Sequence, residues 1–473
     1  MEGSGQIMAK RSPVGVMILL CLAVLPGTPV TAQSLDDALV QAYLHNPQLS
    51  AERAALRATD SRVAQARAGF YPSLTATLQG QLTRGKQTSA FEFPDAPGFD
   101  FSEYEEILET QDANSTFATL ALKQNLYAGG ATEAKLKGAE HRVRAGQASL
   151  LSVEQNVLLN AAQAYVATWR DRMLIQEAEA NHQRIAQQLK ATQRRFELGE
   201  VAETDLVQAK ARLARAGADR DQARANLAQS EADYEQVIGE PAEKLRSPEL
   251  PTGLPRDLDE AYALATGNPD IRRAGLEVDA AKSDADVASA GLLPSIDLVG
   301  QLNYADDPNP EFYDQQSAQI GVTLTVLIFQ GGAATARVRE AHQTLQQLQN
   351  QREGTGDQVR RDVRTYWTAV DAAKSSIEAY EMEARSNELA LRGVERESKL
   401  GLRTVLDVLD AQYDLFQSRS NLVRARATAV TAGFQLKASI GQLSVVQLSL
   451  PVQPYDPEIH YQTERVRLFG LAE

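Results

Sequence analysis

The sequence predicts an α+β chain built from one structural unit used twice, each unit carrying two β-strands and one very long helical hairpin. Three observations lead there. The first is an internal repeat. Leu35-Asp36-Asp37-Ala38 with Asn46-Pro47 returns as Leu258-Asp259-Glu260-Ala261 with Asn268-Pro269. Ala68-Gly69-Phe70-Tyr71-Pro72-Ser73-Leu74 returns as Ala290-Gly291-Leu292-Leu293-Pro294-Ser295-Ile296, and both prolines are displaced by 222 residues. Leu126-Tyr127-Ala128-Gly129-Gly130 returns as Ile328-Phe329-Gln330-Gly331-Gly332 at a displacement of 202, which also relates Gly199 to Gly401 and Asp205 to Asp407. The second observation is period-two alternation of apolar with small polar residues in four segments. The third is a pair of proline-free stretches, 131–239 and 332–450.

Residues 1–32 read as a secretory signal peptide. Lys10 and Arg11 form a basic start, 14–25 an apolar core too short to span a membrane, and Val30-Thr31-Ala32 a small-residue cleavage site. Met8 is an alternative start. Cys21, the only cysteine, lies in the apolar core after Leu20, so no lipid anchor, disulfide or thiol is expected in the mature chain. The formal charge is −14, about −15 once the signal is removed, which argues against a nucleic-acid partner. No later apolar run reaches about 18 residues, so any membrane crossing is expected to use strands.

The first repeat, 33–240, opens with a short helix and a second one started by Asn46 and Pro47. Strands follow at about 73–84 and 115–127. In the first, Leu74, Ala76, Leu78, Gly80 and Leu82 alternate with Ser73, Thr75, Thr77, Gln79 and Gln81, a pattern suited to a membrane β-strand. Between them 84–111 reads as a long acidic surface loop. Gly80 with Gly85-Lys86 mimics a phosphate-binding loop, but Gln87 replaces the Ser or Thr and no helix follows. The helical hairpin is placed at 131–239. A helix over 131–198 would be about 100 Å long. Leu206, Leu213, Leu227 and Tyr234 form one heptad track on its return helix, and Ala209, Ala216 and Ala223 a second track of small residues.

A linker, 241–257, leads into the second repeat, 258–443. Its strands are expected at about 295–305 and 317–329 and its hairpin at 333–441, with a local kink where Gly354 and Gly356 weaken the helix. The tail, 444–473, contains Pro451, Pro454 and Pro457 and is expected to pack around the waist.

Nothing in the chain suggests catalysis. The five histidines show no metal-ligand spacing and no nucleophile elbow accompanies them, so neither an enzyme nor a cofactor is expected. Arg194-Arg195, Arg212, Arg215, Arg220 and Arg224 read as a solvated helix face paired with acids such as Asp219 and Asp221. The informative places are the hairpin turns, Leu198-Gly199-Glu200-Val201-Ala202-Glu203-Thr204-Asp205 and Leu400-Gly401-Leu402-Arg403-Thr404-Val405-Leu406-Asp407-Val408-Leu409-Asp410. Glycine suits the helix stop, and Thr204 or Glu203 in one turn and Thr404 in the other can cap the return helix. Asp407 and Asp410 are three apart and share a face near a helix start, where a favourable interaction with the helix dipole is the plain explanation.

Over nearly its whole mature length the chain resembles the TolC-like outer membrane efflux protein family. Asn46-Pro47, 68–74, 126–130 and above all 401–410 carry the likeness. The resemblance implies a homotrimeric channel: a 12-stranded β-barrel, four strands per chain, in the outer membrane of a Gram-negative bacterium, continuous with a periplasmic α-helical barrel. It implies a passive exit duct for a tripartite efflux pump or a type I secretion system, meeting a periplasmic adaptor protein and an inner-membrane pump that is proton-driven or an ABC exporter. Asp407 and Asp410 match the family's gate constriction, where cation block is expected. Arg403, Thr204 and Asp205 match its gate latch, while Ser398 replaces a tyrosine of that pattern. Leu198, Gly199, Glu200, Leu400, Gly401 and Leu402 match the adaptor-contacting turns, with Glu200 in place of an aliphatic residue. Independently, four strands cannot close a membrane barrel, which needs about eight or more. The competing reading is a secreted structural or adhesive coiled-coil protein whose strands form a soluble clasp.

Overall fold

The computed structural model describes residues 33–89, 107–309 and 312–467. The signal-peptide segment and the last six residues of the tail lie outside that range. Two short helices, α1 (Leu35–His45) and α2 (Pro47–Ala68), precede strands β1 (Ser73–Ser89) and β2 (Ile107–Tyr127). The first hairpin is α3 (Ala131–Glu197) and α4 (Glu203–Ile238). The order then repeats as α5 (Leu258–Ala265), α6 (Pro269–Ala290), β3 (Ser295–Asn309), β4 (Phe312–Thr325), α7 (Ala333–Lys399) and α8 (Val405–Ser439). Helix α9 (Pro457–Val466) closes the chain.

Local signals explain the helix starts. Ser34 and Asp37 form a capping box on α1. The Asn46 side chain accepts from the backbone N–H groups of Gln48 and Leu49, and Asn268 does the same for Asp270, each with proline at the first helical position. Asn268 also donates to Ser439 O at 2.9 Å, which ties the start of α6 to the end of α8.

The four strands form one antiparallel sheet in the order β1-β2-β3-β4. Residues directly opposed in such a sheet share a face. One face carries the rows Leu74–Leu122–Gly300–Ile320 and Ala76–Leu120–Leu302–Ala318. The other carries Thr77–Thr119–Asn303–Ser317, joined by hydrogen bonds of 3.1 Å from Thr119 to Asn303 and from Asn303 to Ser317. The first three strands run further than the alternation suggested, to Ser89, from Ile107 and to Asn309, because pairing continues through polar residues up to Ser89↔Ile107 and Asn309↔Phe312. Accordingly 84–89 and 107–111 belong to the sheet rather than to the loop. β4 is shifted rather than shortened: it begins at Phe312 instead of 317 and ends at Thr325, not 329. Its partner β3 begins at Ser295, just after Pro294, so 326–329 has no ladder to join.

α3 and α7 have 67 residues each, about 100 Å at 1.5 Å per residue. α7 stays helical through Gly354 and Gly356. The main core lies at the waist, where Leu39, Tyr43, Leu158, Tyr165, Tyr234, Ile238, Phe434 and Leu443 pack together. Tyr165 Oη donates within this core and lies 2.8 Å from Gln33 O and 2.9 Å from Arg246 O, fastening the linker. Val445 and Leu450 of the tail join the core, and α9 lies on α2.

Candidate functional site at the hairpin turns

Both turns are built alike. α3 ends with Gly199 at φ +76°, and Glu200 N donates to Arg195 O at 2.8 Å while Gly199 N donates to Phe196 O at 2.9 Å. α7 ends with Gly401 at φ +79°, with Leu402 N to Glu397 O at 3.0 Å and Gly401 N to Ser398 O at 3.1 Å. These are Schellman motifs, which require a left-handed residue after the last helical one, and only glycine adopts that without strain. The two turns present different surfaces. Leu198, Leu400 and Leu402 are each more than 70% exposed. Glu200 is turned back onto Arg195 at 3.2 Å.

The return helices start differently. α8 has Thr404 as its N-cap in a full capping box: Thr404 N and Oγ1 donate to Asp407 Oδ2 at 2.9 and 2.8 Å, and Asp407 N donates to Thr404 Oγ1 at 3.2 Å. Those bonds, first the backbone N–H and then the hydroxyl of Thr404, hold the Asp407 carboxyl below its ordinary value, and the nearby Arg403 charge adds to this. α4 begins at Glu203 after Ala202, which offers no side-chain cap. Neither Thr204 nor Glu203 caps it, because both already lie inside the first turn.

Arg403 donates from Nε to Glu397 Oε2 at 2.8 Å, on its own hairpin, and this bond raises its pKa. Among the described residues no hydrogen bond or ion pair joins Arg403 to Thr204 or Asp205 within one chain. Thr204 is exposed, Asp205 half-buried, and Ser398 buried. Asp410 does find a partner on the first hairpin: Arg212 Nη2 lies 2.5 Å from Asp410 Oδ1. Arg215 reaches Tyr413 in the same way. Sequence reasoning left both arginines on a solvated face, since only the packing of α8 on α4 reveals their partners. Arg220 and Asp221 do pair on the open side, at 2.7 Å. Beneath these contacts Val405 and Leu409 of α8 pack with Ile185, Ala209 and Ala216 of the first hairpin.

An open-edged sheet, apolar on one face and polar on the other, continuous with two hairpins that meet at paired turns, is the protomer architecture of an outer membrane channel-tunnel. The chain belongs to the outer membrane efflux protein family, whose profile matches residues 38–240 and 261–442. The two matched segments correspond to the two repeats. The chain is 32% identical over 465 residues to the outer membrane efflux protein BepC of Brucella suis biovar 1 (strain 1330), covering 98% of this chain and 97% of that one. It is 27% identical to the outer membrane protein TolC of Vibrio cholerae, covering 88% and 92%. The fold is similar to that of the outer membrane protein VceC of Vibrio cholerae, with a TM-score of 0.72 at 20% identity over 86% of this chain and 96% of the other. Family membership leaves the adhesive coiled-coil reading without support.

Proposed function

We propose that three copies of this chain form a passive exit duct across the outer membrane and the periplasm, gated at the hairpin turns. The sheet carries this reading. Its apolar rows suit lipid and its hydrogen-bonded polar rows suit a water-filled lumen, but β1 and β4 have free edges. Unpaired edges are not tolerated in hydrocarbon, so the sheet must close with other copies, and three give twelve strands by count of four each.

The helices support the same assembly. α3 and α7 are equal in length, yet α3 buries 24 of its residues and α7 only 7. α3 packs against both α2 and α6, whereas among the described residues α7 packs against α6 but has no second helix in the place that α6 takes beside α3. A neighbouring copy's α2 fits that gap.

In this assembly Asp407 and Asp410 form rings of three carboxylates at the periplasmic entrance, and Arg403 links to Thr204 and Asp205 across subunits. The exposed Leu198, Leu400 and Leu402, with Gly199, Glu200 and Gly401, meet a periplasmic adaptor that joins the duct to an inner-membrane pump. Energy comes from the pump and none from this chain.

A detergent-resistant trimer in the outer membrane fraction, dissociated by heating, is the expected result; a soluble periplasmic monomer would refute the duct. Conductance in planar bilayers tests the gate. Asp407→Ala with Asp410→Ala should change conductance and weaken block by divalent cations. Charge reversal at Arg403 should raise conductance, and no change would remove it from the latch.

A further inference from the structure

Two arginines on one face of α4 reach across to α8. Arg212 Nη2 donates to Asp410 Oδ1 at 2.5 Å. Arg215 Nη2 donates to Tyr413 Oη at 2.7 Å, and its guanidinium carbon stands 4.6 Å from the Tyr413 ring centroid. Gln417, one turn further along α8, donates to the same hydroxyl at 2.9 Å. Arg212 and Arg215 are three residues apart, as are Asp410 and Tyr413, so the four side chains form two stacked rungs between the helices. Among the described residues, these rungs are the polar contacts between α4 and α8.

The seam below them is thin. Val405 and Leu409 of α8 meet Ala209 and Ala216 of α4 and Ile185 of α3, with Leu189, Val201 and Leu213 half-buried around them. Between α4 and α8 themselves only two alanines and a half-buried leucine face α8, so the polar rungs weigh more there than they would over a deep core.

The duplication sharpens the point. By the 202-residue shift, the counterparts of Arg212 and Arg215 on α8 are Asp414 and Gln417, and those of Asp410 and Tyr413 on α4 are Gln208 and Ala211. No cation stands at the counterpart positions. A ring of alternating hairpins built from this chain therefore has the arginine rungs at the junction inside each subunit and lacks them at the junction between subunits.

We propose that Arg212 and Arg215 are positioning residues of the gate: they clamp the second hairpin of a subunit against the first, and Arg212 covers the Asp410 carboxylate while the entrance is shut. The proposal rests on the gated-duct reading and adds the part that the first hairpin plays in it. The Arg212 side chain is 28% exposed and that of Asp410 49% exposed, so water can replace the bond as α8 swings away. Contacts this exposed are individually weak, which suits a clamp that must release. Opening would break both rungs and leave three uncovered Asp410 carboxylates around the entrance.

The test uses the full-length trimer in two measurements. In planar bilayers, Arg212→Ala with Arg215→Ala should raise the open-to-closed ratio about tenfold, and either single variant by a smaller factor. Hydrogen exchange in detergent should quicken at amides 405–416 of the double variant. Arg212→Lys with Arg215→Lys, which keeps both charges at the seam and leaves Asp410 in place, should return both readouts toward wild type. A wild type that conducts and a double variant that behaves identically would overturn the clamp alone. Faster exchange without altered gating would show the rungs to be purely structural, and would also overturn it. A wild type that forms no channel would overturn the duct, and the clamp's gating role with it.

Discussion

Gly129 and Gly331 are the same residue of the repeat, and they answer differently to a single methyl group. Both have positive φ, +63° and +58°. A Cβ on Gly129 would stand 2.7 Å from Ala290 O and 2.8 Å from Leu293 Cβ, whereas one on Gly331 would meet nothing within 4 Å in the same chain. Gly→Ala at either site costs about 1–2 kcal/mol for the left-handed backbone. At Gly129 the overlap with backbone and a Cβ adds about 1–3 kcal/mol of forced movement. The less flexible unfolded chain of the alanine variant offsets about 0.4–1 kcal/mol in both. Within one chain, Gly129→Ala is therefore the harsher change.

Assembly should remove the difference. The repeat equivalents of Ala290 and Leu293 are Ala68 and Tyr71, at the end of α2. In a closed ring, Ala68 of the partner subunit would stand over Gly331 as Ala290 stands over Gly129. Thermal dissociation of the detergent-solubilised trimer measures this. Gly331→Ala should lower the midpoint about as much as Gly129→Ala, and the loss should fall on trimer dissociation. If Gly331→Ala has only the mild effect of an unobstructed site, the neighbour's α2 does not lie there and the ring is built another way.

Other perturbations probe single contacts. Glu154 is buried on α3 and accepts from Val445 N at 2.8 Å; burial pushes its carboxyl pKa up, against the smaller effects of that bond and of Arg53. Its contribution to stability is thus complete below the ordinary carboxyl value and lost as pH rises through the raised one, so Glu154→Gln should flatten this dependence in pH-resolved thermal unfolding. Glu154→Ala should cost about 1–3 kcal/mol, because Val445 N–H loses its acceptor in a buried place. Asp407 has the opposite sign: its lowered pKa stabilises the start of α8 above 3.8, and this is lost as pH falls through the lowered value. Amide exchange at 405–408 should quicken in acid in the wild type and show no such step in Asp407→Asn. Thr404→Ala should cost about 1 kcal/mol of local stability at the same amides, while Ala202→Thr should slow exchange at the start of α4 by supplying the cap it lacks.

What could be read from the residues follows from which forces leave a pattern in sequence. Burial against lipid writes a period of two, so the strand centres at Leu74–Leu122 and Leu302–Ala318 were legible. Pairing beyond the apolar zone needs only backbone groups, and residues such as Thr83, Arg84 and Gln111 announce no strand; the strand ends were missed for that reason. Glycines 199 and 401 were legible because a left-handed turn admits few other residues. The cap of α4 was misplaced because Thr204 is a good capping residue standing two positions too late, after Ala202. Arg212 and Arg215 were indistinguishable in sequence from Arg220 and Arg224, because helical spacing shows which residues share a face but not which helix that face meets.

The same limit explains why the repeat informs most where its copies diverge. Two hairpins of equal length and like turns would make a ring of six equal units, with no preferred seam. The capping box on α8 and its absence on α4 make one return helix the firmer at its start. The arginine rungs make the junction inside a subunit the better fastened. A Gly129 that is covered and a Gly331 that is open show where that subunit stops. Each difference breaks the pseudo-symmetry in its own way, and together they would divide the proposed ring into three two-hairpin bodies rather than six independent staves. Force applied at the turns by an adaptor would then be taken up first at the junctions between subunits and reach the Arg212 clamp second. A trimer with Cys substituted at 215 and 413 and joined by a bismaleimide cross-linker, which spans the gap that the long arginine side chain fills, should therefore open only partway, and full opening of the cross-linked channel would show that the intrasubunit junction is not part of the gate.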